Sequence, residues 1–113
     1  MKNIEKKVGR VVIVDDEPKM MEATAEILRG EGYEVTVIGS AEDAIKVRDE
    51  FDVAIIDGLN GRCFNVYKEI KARRKVIYSG SLDICERAKE LGWEAWIKPA
   101  YILDIINKEE ISA

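Results

Sequence analysis

Histidine is absent from this 113-residue sequence, and cysteine and proline occur only twice each. Without histidine, the chain cannot itself provide an imidazole as a general base, a metal ligand or a phosphoryl carrier. The two cysteines, Cys63 and Cys85, stand apart and form no metal-binding or redox spacing. We therefore expect two buried thiols that behave as small apolar groups, and a reducing, cytoplasmic setting for the protein.

Long apolar runs and a strong charge of one sign are also missing. The charged N-terminus is followed by only four consecutive apolar residues, Val11 to Val14, and such a run is too short for a signal peptide or a membrane span. The 18 basic and 22 acidic residues give a net charge of −4, which offers no positive field to a polyanion. We expect neither a membrane nor nucleic acid as a direct partner.

The apolar pattern predicts five strands that alternate with five helices in one domain spanning residues 1–113. The predicted strands are 11–14, 33–38, 51–57, 75–79 and a short one within 93–98. The predicted helices are 18–29, one capped by Ser40, a short one near 64–70, 82–91 and 101–107. Residues 1–9 are expected to form a solvated lead-in and 108–113 a frayed end. Short connections between alternating elements are typical of an α/β fold with a doubly wound parallel sheet.

Two of the predicted strands end abruptly in aspartate. The run from Val11 is followed by Asp15 and Asp16, and the run from Val53 is followed by Asp57. Continuous apolar runs are typical of parallel strands that are covered by helices on both faces. If the first and third strands are neighbours, the three carboxylates meet at the carboxyl edge of the sheet, where open α/β sheets bind their ligands.

Three carboxylates in one cleft repel one another unless one is protonated or a cation neutralises them. Magnesium is the natural choice because it prefers oxygen ligands and leaves positions for phosphate oxygens. Ser79 and Lys98 end the next two predicted strands on the same edge, where a hydroxyl and an ammonium could bind phosphoryl oxygens. This set of residues matches in-line attack by Asp57 on phosphorus, with an aspartyl phosphate as the product.

Four segments carry a resemblance to a known family: VVIVDDE (11–17), VAIIDG (53–58), VIYSG (76–80) and WIKP (96–99). Each motif is short, but four of them in this order at successive strand ends are specific together. The chain resembles a receiver domain of the two-component response regulators, similar to the chemotaxis regulators. The resemblance implies a flavodoxin-like fold with five parallel strands in the order 2-1-3-4-5.

The resemblance also implies a metal site and its ligands. Asp16 would bind Mg²⁺ directly, and Asp15 would bind it directly or through a water. Asp57 and the backbone carbonyl of Leu59 would complete the protein ligands.

For the phosphoryl group, the resemblance makes Asp57 the acceptor, Ser79 the hydroxyl that moves to a phosphoryl oxygen, and Lys98 the charge partner. The bond between Lys98 and Pro99 would be cis. The phosphoryl group would come from a partner histidine kinase or phosphotransfer protein, which agrees with the absence of histidine in this chain.

The chain departs from the family pattern in three places. The family usually has a proline four residues after the phosphoacceptor, where this chain has Gly61, and a glycine that commonly follows is absent. The segment up to Ser79 is also shorter than usual, and we expect the missing length in the loop, the third helix and the fourth strand; the fourth helix also looks trimmed. The usual switch aromatic is replaced by Ala95, so either a small shift brings Trp96 into that role or aromatic switching is lost.

The last predicted helix is apolar nearly all round, which is more than one buried face requires. Its apolar residues are Tyr101, Ile102, Leu103, Ile105 and Ile106. We expect this surface, with the fourth helix and fifth strand, to contact a partner or a second copy, through a homodimer face of Ile102, Ile105 and Ile106.

The favoured function is a single-domain, phosphorylation-controlled signalling module that is not an enzyme beyond its own phosphorylation and dephosphorylation. No output domain fits in the chain, so output would require a downstream protein, or the chain would be a receiver cut from a longer regulator. One alternative is a degenerate receiver that works as an interaction or dimerisation module without phosphorylation. A flavin- or nucleotide-binding protein would need a Gly- or Ser/Thr-rich loop where this chain has DDEP, and an aspartate-based phosphatase would need a second aspartate soon after Asp57.

Overall fold

The computed structural model describes residues 9–108, so the predicted lead-in before Gly9 and the predicted frayed end beyond Lys108 lie outside the described residues. Five parallel strands form one sheet in the order β2-β1-β3-β4-β5, which confirms the predicted fold class. The strands are β1 Arg10–Val14, β2 Glu34–Ile38, β3 Glu50–Ile56, β4 Lys71–Ser79 and β5 Glu94–Ile97. The helices are α1 Pro18–Gly30, α2 Ala41–Lys46, α3 Cys63–Glu69, α4 Leu82–Glu90 and α5 Ile102–Asn107. Within residues 9–108, every helix is too short or too polar to cross a membrane.

The register of the two central strands brings the acidic residues together. Val14 of β1 is paired with Ile56 of β3, so Asp15 and Asp57 follow neighbouring positions in the sheet. The ladder continues into both aspartates, because Asp57 N–H donates to the Val14 carbonyl at 2.8 Å and Asp15 N–H donates to the Ile38 carbonyl at 3.0 Å. The carboxyl edge of β1 and β3 is therefore held rigidly by backbone hydrogen bonds.

The core lies in two layers, one on each face of the sheet. Val12 and Val14 point to the layer beneath α2, α3 and α4, while Val11 and Ile13 point to the layer beneath α1 and α5. All four side chains are almost fully buried. Burial on both faces explains why the β1 sequence is continuously apolar rather than alternating.

Two helix starts follow the expected capping chemistry. The Ser40 hydroxyl accepts a hydrogen bond from Asp43 N–H at 3.1 Å, as predicted for α2, and the Ser81 hydroxyl accepts one from Ile84 N–H at 3.2 Å at the start of α4. Each cap satisfies a backbone donor that has no partner inside its helix.

The fourth strand is longer than predicted. β4 begins at Lys71, four residues before the predicted start at Lys75, and only Ile70 separates it from α3. Its first half is polar and carries no strand pattern, but Lys71 and Ala72 are paired with Glu50 and Phe51 of β3. The predicted start of the fourth strand at Lys75 was therefore wrong, while the expectation that this segment is shorter than in the family stays a prediction.

The predicted homodimer face of the last helix is also wrong. Ile102, Ile105 and Ile106 are 5%, 0% and 6% exposed, because they pack into the layer between α1 and the sheet. Side chains that fill the core of their own domain cannot form an interface with a second copy. Tyr101, just before α5, is 57% exposed and remains available on the surface.

Candidate functional site

Three carboxylates meet at the carboxyl edge of β1 and β3. Asp15, Asp16 and Asp57 each place one carboxylate oxygen within 4.8 Å of the others. Asp15 is buried, Asp57 is half-buried and Asp16 is exposed. The structure thus brings together the three aspartates that the strand ends predicted.

Lys98 reaches the same edge from the end of β5 and joins two of the carboxylates. Its ammonium lies 2.7 Å from Asp57 Oδ1 and 3.0 Å from Asp15 Oδ2. Burial favours the neutral amine, but the hydrogen bonds and negative charges of Asp57 and Asp15 outweigh it, so the pKa of Lys98 is raised. Lys98 is therefore a fixed positive charge at the centre of the site.

Backbone donors hold the remaining oxygens of the two inner carboxylates. Glu17 N–H donates to Asp15 Oδ1 at 3.0 Å, and Leu59 N–H donates to Asp57 Oδ2 at 2.9 Å. Among residues 9–108, by contrast, the carboxylate of Asp16 has no hydrogen-bond or ion-pair partner within the protein. Asp16 is accordingly the carboxylate with the greatest freedom to bind an added cation.

The donor set fits a hard divalent cation. Three carboxylates face one ammonium, so the described part of the site retains negative charge that a cation would neutralise. Carboxylate oxygens, completed by a carbonyl and waters, are the ligands that Mg²⁺ and Ca²⁺ prefer. Asp15, Asp16 and Asp57 would hold such an ion.

The loop after Asp57 has an unusual backbone. Leu59 and Asn60 adopt left-handed conformations with φ of 52° and 54°, and Gly61 follows with φ of 93°. Each of the two non-glycine residues costs on the order of 1–3 kcal/mol of strain. A proline, with φ near −65°, cannot adopt the conformation of Gly61.

Local contacts hold this loop in place. The Leu59 side chain is 6% exposed and packs into the core, and Gly61 N–H donates to the Gly58 carbonyl at 2.8 Å. The Leu59 carbonyl accepts a hydrogen bond from Arg62 N–H at 3.0 Å, which leaves one lone pair. Its role as a metal ligand stays a prediction.

Ser79 lies at the end of β4 and is only 3% exposed. Its hydroxyl oxygen accepts a hydrogen bond from Ser81 N–H at 3.0 Å, so its own proton is available for donation. A Cβ on residue 58 would lie 2.7 Å from this oxygen, and that space exists because residue 58 is glycine. Sequence reasoning assigned no role to Gly58 and missed this close approach.

Cys63 is close enough to the site for the negative charge of Asp57 to affect the pKa of its thiol. Burial, together with this negative charge, raises the pKa of Cys63 to about 11. The thiol is fully buried and stays protonated near neutral pH, so it is not a reactive nucleophile. Cys85 is buried as well, and both cysteines are free, as predicted.

The sequence left two alternatives for the switch aromatic, either Trp96 in that role or the loss of aromatic switching, and the faces of β5 bear on this choice. Ile77 pairs with Ala95 and Tyr78 pairs with Trp96. Ala95 faces the layer beneath α4, and Trp96 faces the opposite layer beneath α5. Trp96 therefore does not lie on the face where the family aromatic is expected.

One residue near the site received no role from sequence reasoning. Tyr78 directly precedes Ser79, and its hydroxyl is hydrogen-bonded to both backbone polar groups of Ala100. The bond between Lys98 and Pro99, which lies between them in the chain, is cis as predicted. A polar aromatic side chain at the end of an otherwise aliphatic strand segment is the signal that could have pointed to Tyr78.

Known proteins are similar to this chain in two ways, in sequence over part of its length and in fold over most of it. No family model matches the chain. The DNA-binding response regulator MtrA of Mycolicibacterium smegmatis is 36% identical over 58 residues, which cover 46% of this chain and 25% of that protein. The chain thus matches only about a quarter of the length of this relative.

Solved structures show the same fold over most of the chain. A CheY-like response regulator receiver domain protein from Methanospirillum hungatei is 26% identical, with a TM-score of 0.66 over 90% of both chains. A response regulator from Burkholderia pseudomallei, with a phosphorylated aspartic acid, a calcium ion and citrate, is 19% identical with a TM-score of 0.69, over 87% of this chain and 64% of that one. The chemotaxis response regulator CheY4 of Vibrio cholerae is also 19% identical, with a TM-score of 0.70 over 90% of this chain and 98% of that one. Together with the strand order, these similarities show that the chain has the fold of the response regulator receiver domains and resembles them in sequence.

Proposed function

We propose that this domain accepts a phosphoryl group on Asp57, depends on Mg²⁺ to do so, and signals by a change in its binding to another protein. The donor would be the phosphohistidine of a partner histidine kinase or phosphotransfer protein. The observation that carries the proposal is the position of Lys98, whose ammonium bridges Asp57 and Asp15 at 2.7 and 3.0 Å beside the exposed carboxylate of Asp16. In this proposal Asp57 is the nucleophile, and Lys98, which already contacts it, is its charge partner.

The residues of the chain suit a transfer in which one carboxylate oxygen of Asp57 attacks phosphorus. The bond from phosphorus to the histidine nitrogen breaks, and the leaving nitrogen keeps the electron pair. The Lys98 ammonium, which donates to Asp57, can then donate a hydrogen bond to one phosphoryl oxygen. The Ser79 hydroxyl can donate a hydrogen bond to a second phosphoryl oxygen. Both contacts strengthen as negative charge develops on the phosphoryl oxygens.

The proposed metal would be held by Asp15, Asp16 and Asp57, with the carbonyl of Leu59 as a further ligand. When bound, a divalent cation supplies positive charge to the phosphoryl oxygens. The Burkholderia relative, which carries both a phosphorylated aspartic acid and a calcium ion, supports this part by similarity.

The output surface must differ from the predicted isoleucine face. Leu82, Ile97 and Tyr101 are 63%, 43% and 57% exposed, and each lies near the carboxyl end of β4 or β5. We propose that a downstream protein contacts these side chains, because they are apolar, exposed and close in sequence to Ser79 and Lys98.

We propose further that the domain catalyses no reaction other than its own phosphorylation and dephosphorylation, and that it works in the cytoplasm.

Intact mass spectrometry after incubation with Mg²⁺ and acetyl phosphate tests the phosphoacceptor. A single phosphoryl adduct is expected in the wild type, and none is expected in Asp57→Asn or after metal chelation. If the wild type gains no adduct and also fails to bind beryllofluoride, a mimic of the phosphoryl group, the proposal is wrong. The degenerate interaction module would then be the better description.

A further inference from the structure

The hydroxyl of Tyr78 clamps the segment that follows Lys98 and Pro99. It accepts a hydrogen bond from Ala100 N–H at 2.9 Å and donates one to the Ala100 carbonyl at 2.6 Å. A single side chain of β4 thereby satisfies both backbone polar groups of a residue in the connection to α5. This fixes the chain just beyond Lys98 against the end of β4.

Tyr78 also lies next to the Lys98 side chain itself. The Lys98 ammonium is 5.3 Å from the centroid of the Tyr78 ring, within the range of a cation–π interaction. On the backbone, Lys98 N–H donates to the Ser79 carbonyl at 2.9 Å. Lys98 is thus held on its N–H side by Ser79, on its carboxyl side by the clamped Ala100, and along its side chain by the Tyr78 ring.

Tyr78 and Ser79 are consecutive in β4 and serve opposite faces of the sheet. Ser79 places its hydroxyl against Gly58, on the layer beneath α4, whereas Tyr78 packs into the layer beneath α1 and α5. A cavity of about 130 Å³ on the Tyr78 side is lined by Asp57 and Lys98 as well as by Tyr78. The end of β4 therefore contacts Gly58, the residue after Asp57, through Ser79, and is linked to Asp57 itself through Tyr78 and Lys98.

We propose that Tyr78 is a positioning residue that sets the Lys98 ammonium for phosphoryl transfer to Asp57. The inference rests on the proposed phosphoacceptor function and adds to it a residue that never touches the phosphoryl group. The hydroxyl carries the role, because the ring alone would leave the Ala100 backbone without its two hydrogen bonds. A displacement of about 1 Å at a catalytic group can lower a reaction rate about a hundredfold. A Lys98 ammonium that is no longer held in place should therefore lower the rate of phosphoryl transfer measurably.

The test compares rates of phosphoryl incorporation from radiolabelled acetyl phosphate in five proteins. These are the wild type, Tyr78→Phe, Lys98→Met, the double variant and the matched control Tyr33→Phe. Among the described residues, the Tyr33 hydroxyl makes no hydrogen bond, so its removal changes composition in the same way without loosening Lys98. Heat denaturation of each protein gives the folded fraction to which the rate is normalised.

We expect Tyr78→Phe to lower the maximal rate by about 10- to 100-fold, with little change in the Mg²⁺ concentration that gives half of the maximal rate. Tyr33→Phe should behave as the wild type. In the Lys98→Met background, the additional change Tyr78→Phe should have almost no effect, because a residue that acts through Lys98 has nothing left to position.

Two outcomes overturn the inference while leaving the phosphoacceptor intact. One is a wild-type rate in Tyr78→Phe, and the other is an equal loss of rate with and without Lys98. A wild type that takes up no phosphoryl group is a different outcome, since it rejects the proposed function itself and the positioning role with it.

Discussion

Gly58 and Ser79 touch so closely that any side chain at residue 58 would collide with the Ser79 hydroxyl. A Cβ there would lie 2.7 Å from Ser79 Oγ and 3.0 Å from the Ile84 Cδ1 atom. Gly58 directly follows Asp57, so this contact joins the loop of the carboxylate to the end of β4. The position of the Ser79 hydroxyl against Gly58 therefore depends on the absence of a side chain at residue 58.

Gly58→Ala should accordingly damage both the fold and the reaction. We expect a loss of about 1–3 kcal/mol in the free energy of unfolding, typical of overpacking, and slower phosphoryl incorporation per folded molecule. Gly80→Ala is the control, because a Cβ at Gly80 meets nothing within 4 Å. Urea denaturation and intact mass spectrometry measure the two effects. Equal behaviour of the two variants would show that the contact does not constrain Ser79.

Removal of one carboxylate tests the cation site without phosphorylation. Asp16 is exposed and makes no hydrogen bond within residues 9–108, so Asp16→Asn should leave the metal-free protein folded. Mg²⁺ that binds the folded state raises the unfolding temperature by mass action. We expect this rise in the wild type and in the control Asp83→Asn, and a much smaller rise in Asp16→Asn. Calorimetry that finds the same rise in all three would place the ion elsewhere.

Replacement of Ile105 distinguishes a core residue from an interface residue. Ile105 is 0% exposed and packs between α1 and the sheet, so Ile105→Ala should destabilise the domain by about 2–5 kcal/mol. The exposed Ile97 is the control, and Ile97→Ala should change stability by less than about 1 kcal/mol. Urea denaturation of the Ile105 variant at two protein concentrations should give the same midpoint. A midpoint that rises with concentration would point to an interface after all.

Much of the site could be predicted because it depends on strand ends. A continuous apolar run predicts a buried parallel strand, and the residue that ends it must lie at the carboxyl edge of the sheet. Asp15, Asp16, Asp57, Ser79 and Lys98 were found by this argument alone, and the structure brings them to one edge. The resemblance to receiver domains assigned their roles.

The parts that were missed depend on contacts that a local pattern does not contain. The first half of β4 is polar because it pairs with β3 on one side, while β5 pairs only with Val76 to Ser79 on the other. The apolar surface of α5 was overestimated because a pattern does not show how many neighbours cover a helix. The role proposed for Tyr78 depends on a hydrogen bond between residues 22 positions apart in the sequence.

Tryptophan emission tests whether aromatic switching is lost. Trp96 faces the layer beneath α5, away from the Ala95 face, and its indole N–H donates to Glu94 Oε2 at 2.9 Å. In Trp93→Phe, Trp96 is the single tryptophan of the chain. We expect its emission to change little when Mg²⁺ and beryllofluoride are added, because it is anchored on the far face. A large blue or red shift, absent in Asp57→Asn, would make Trp96 part of the switch.

The ion pair between Arg74 and Glu94 predicts how stability depends on pH. Arg74 lies 2.7 Å from Glu94 and also donates to the carbonyls of Ile105 and Ile106, so it joins β4 and β5 to the end of α5. Burial alone would raise the pKa of Glu94, but the hydrogen bonds from Arg74 and Trp96 and the Arg74 charge lower it below its ordinary value of 4.5. A lowered pKa means that the ionised carboxylate stabilises the fold above pH 4.5, and that this stabilisation is lost as the pH falls through the folded-state pKa.

Glu94→Gln should therefore cost about 1–3 kcal/mol of stability near neutral pH, and its difference from the wild type should shrink as the pH falls below 4.5. The matched control is Glu34→Gln, since Glu34 is exposed and its pair with Arg10 is long, at 3.4 Å. That change should cost less than about 1 kcal/mol. Urea denaturation of the three proteins across this pH range gives the comparison. A difference between Glu94→Gln and the wild type that stays constant with pH would mean that the carboxylate charge contributes nothing, and that Glu94 acts only through its packing.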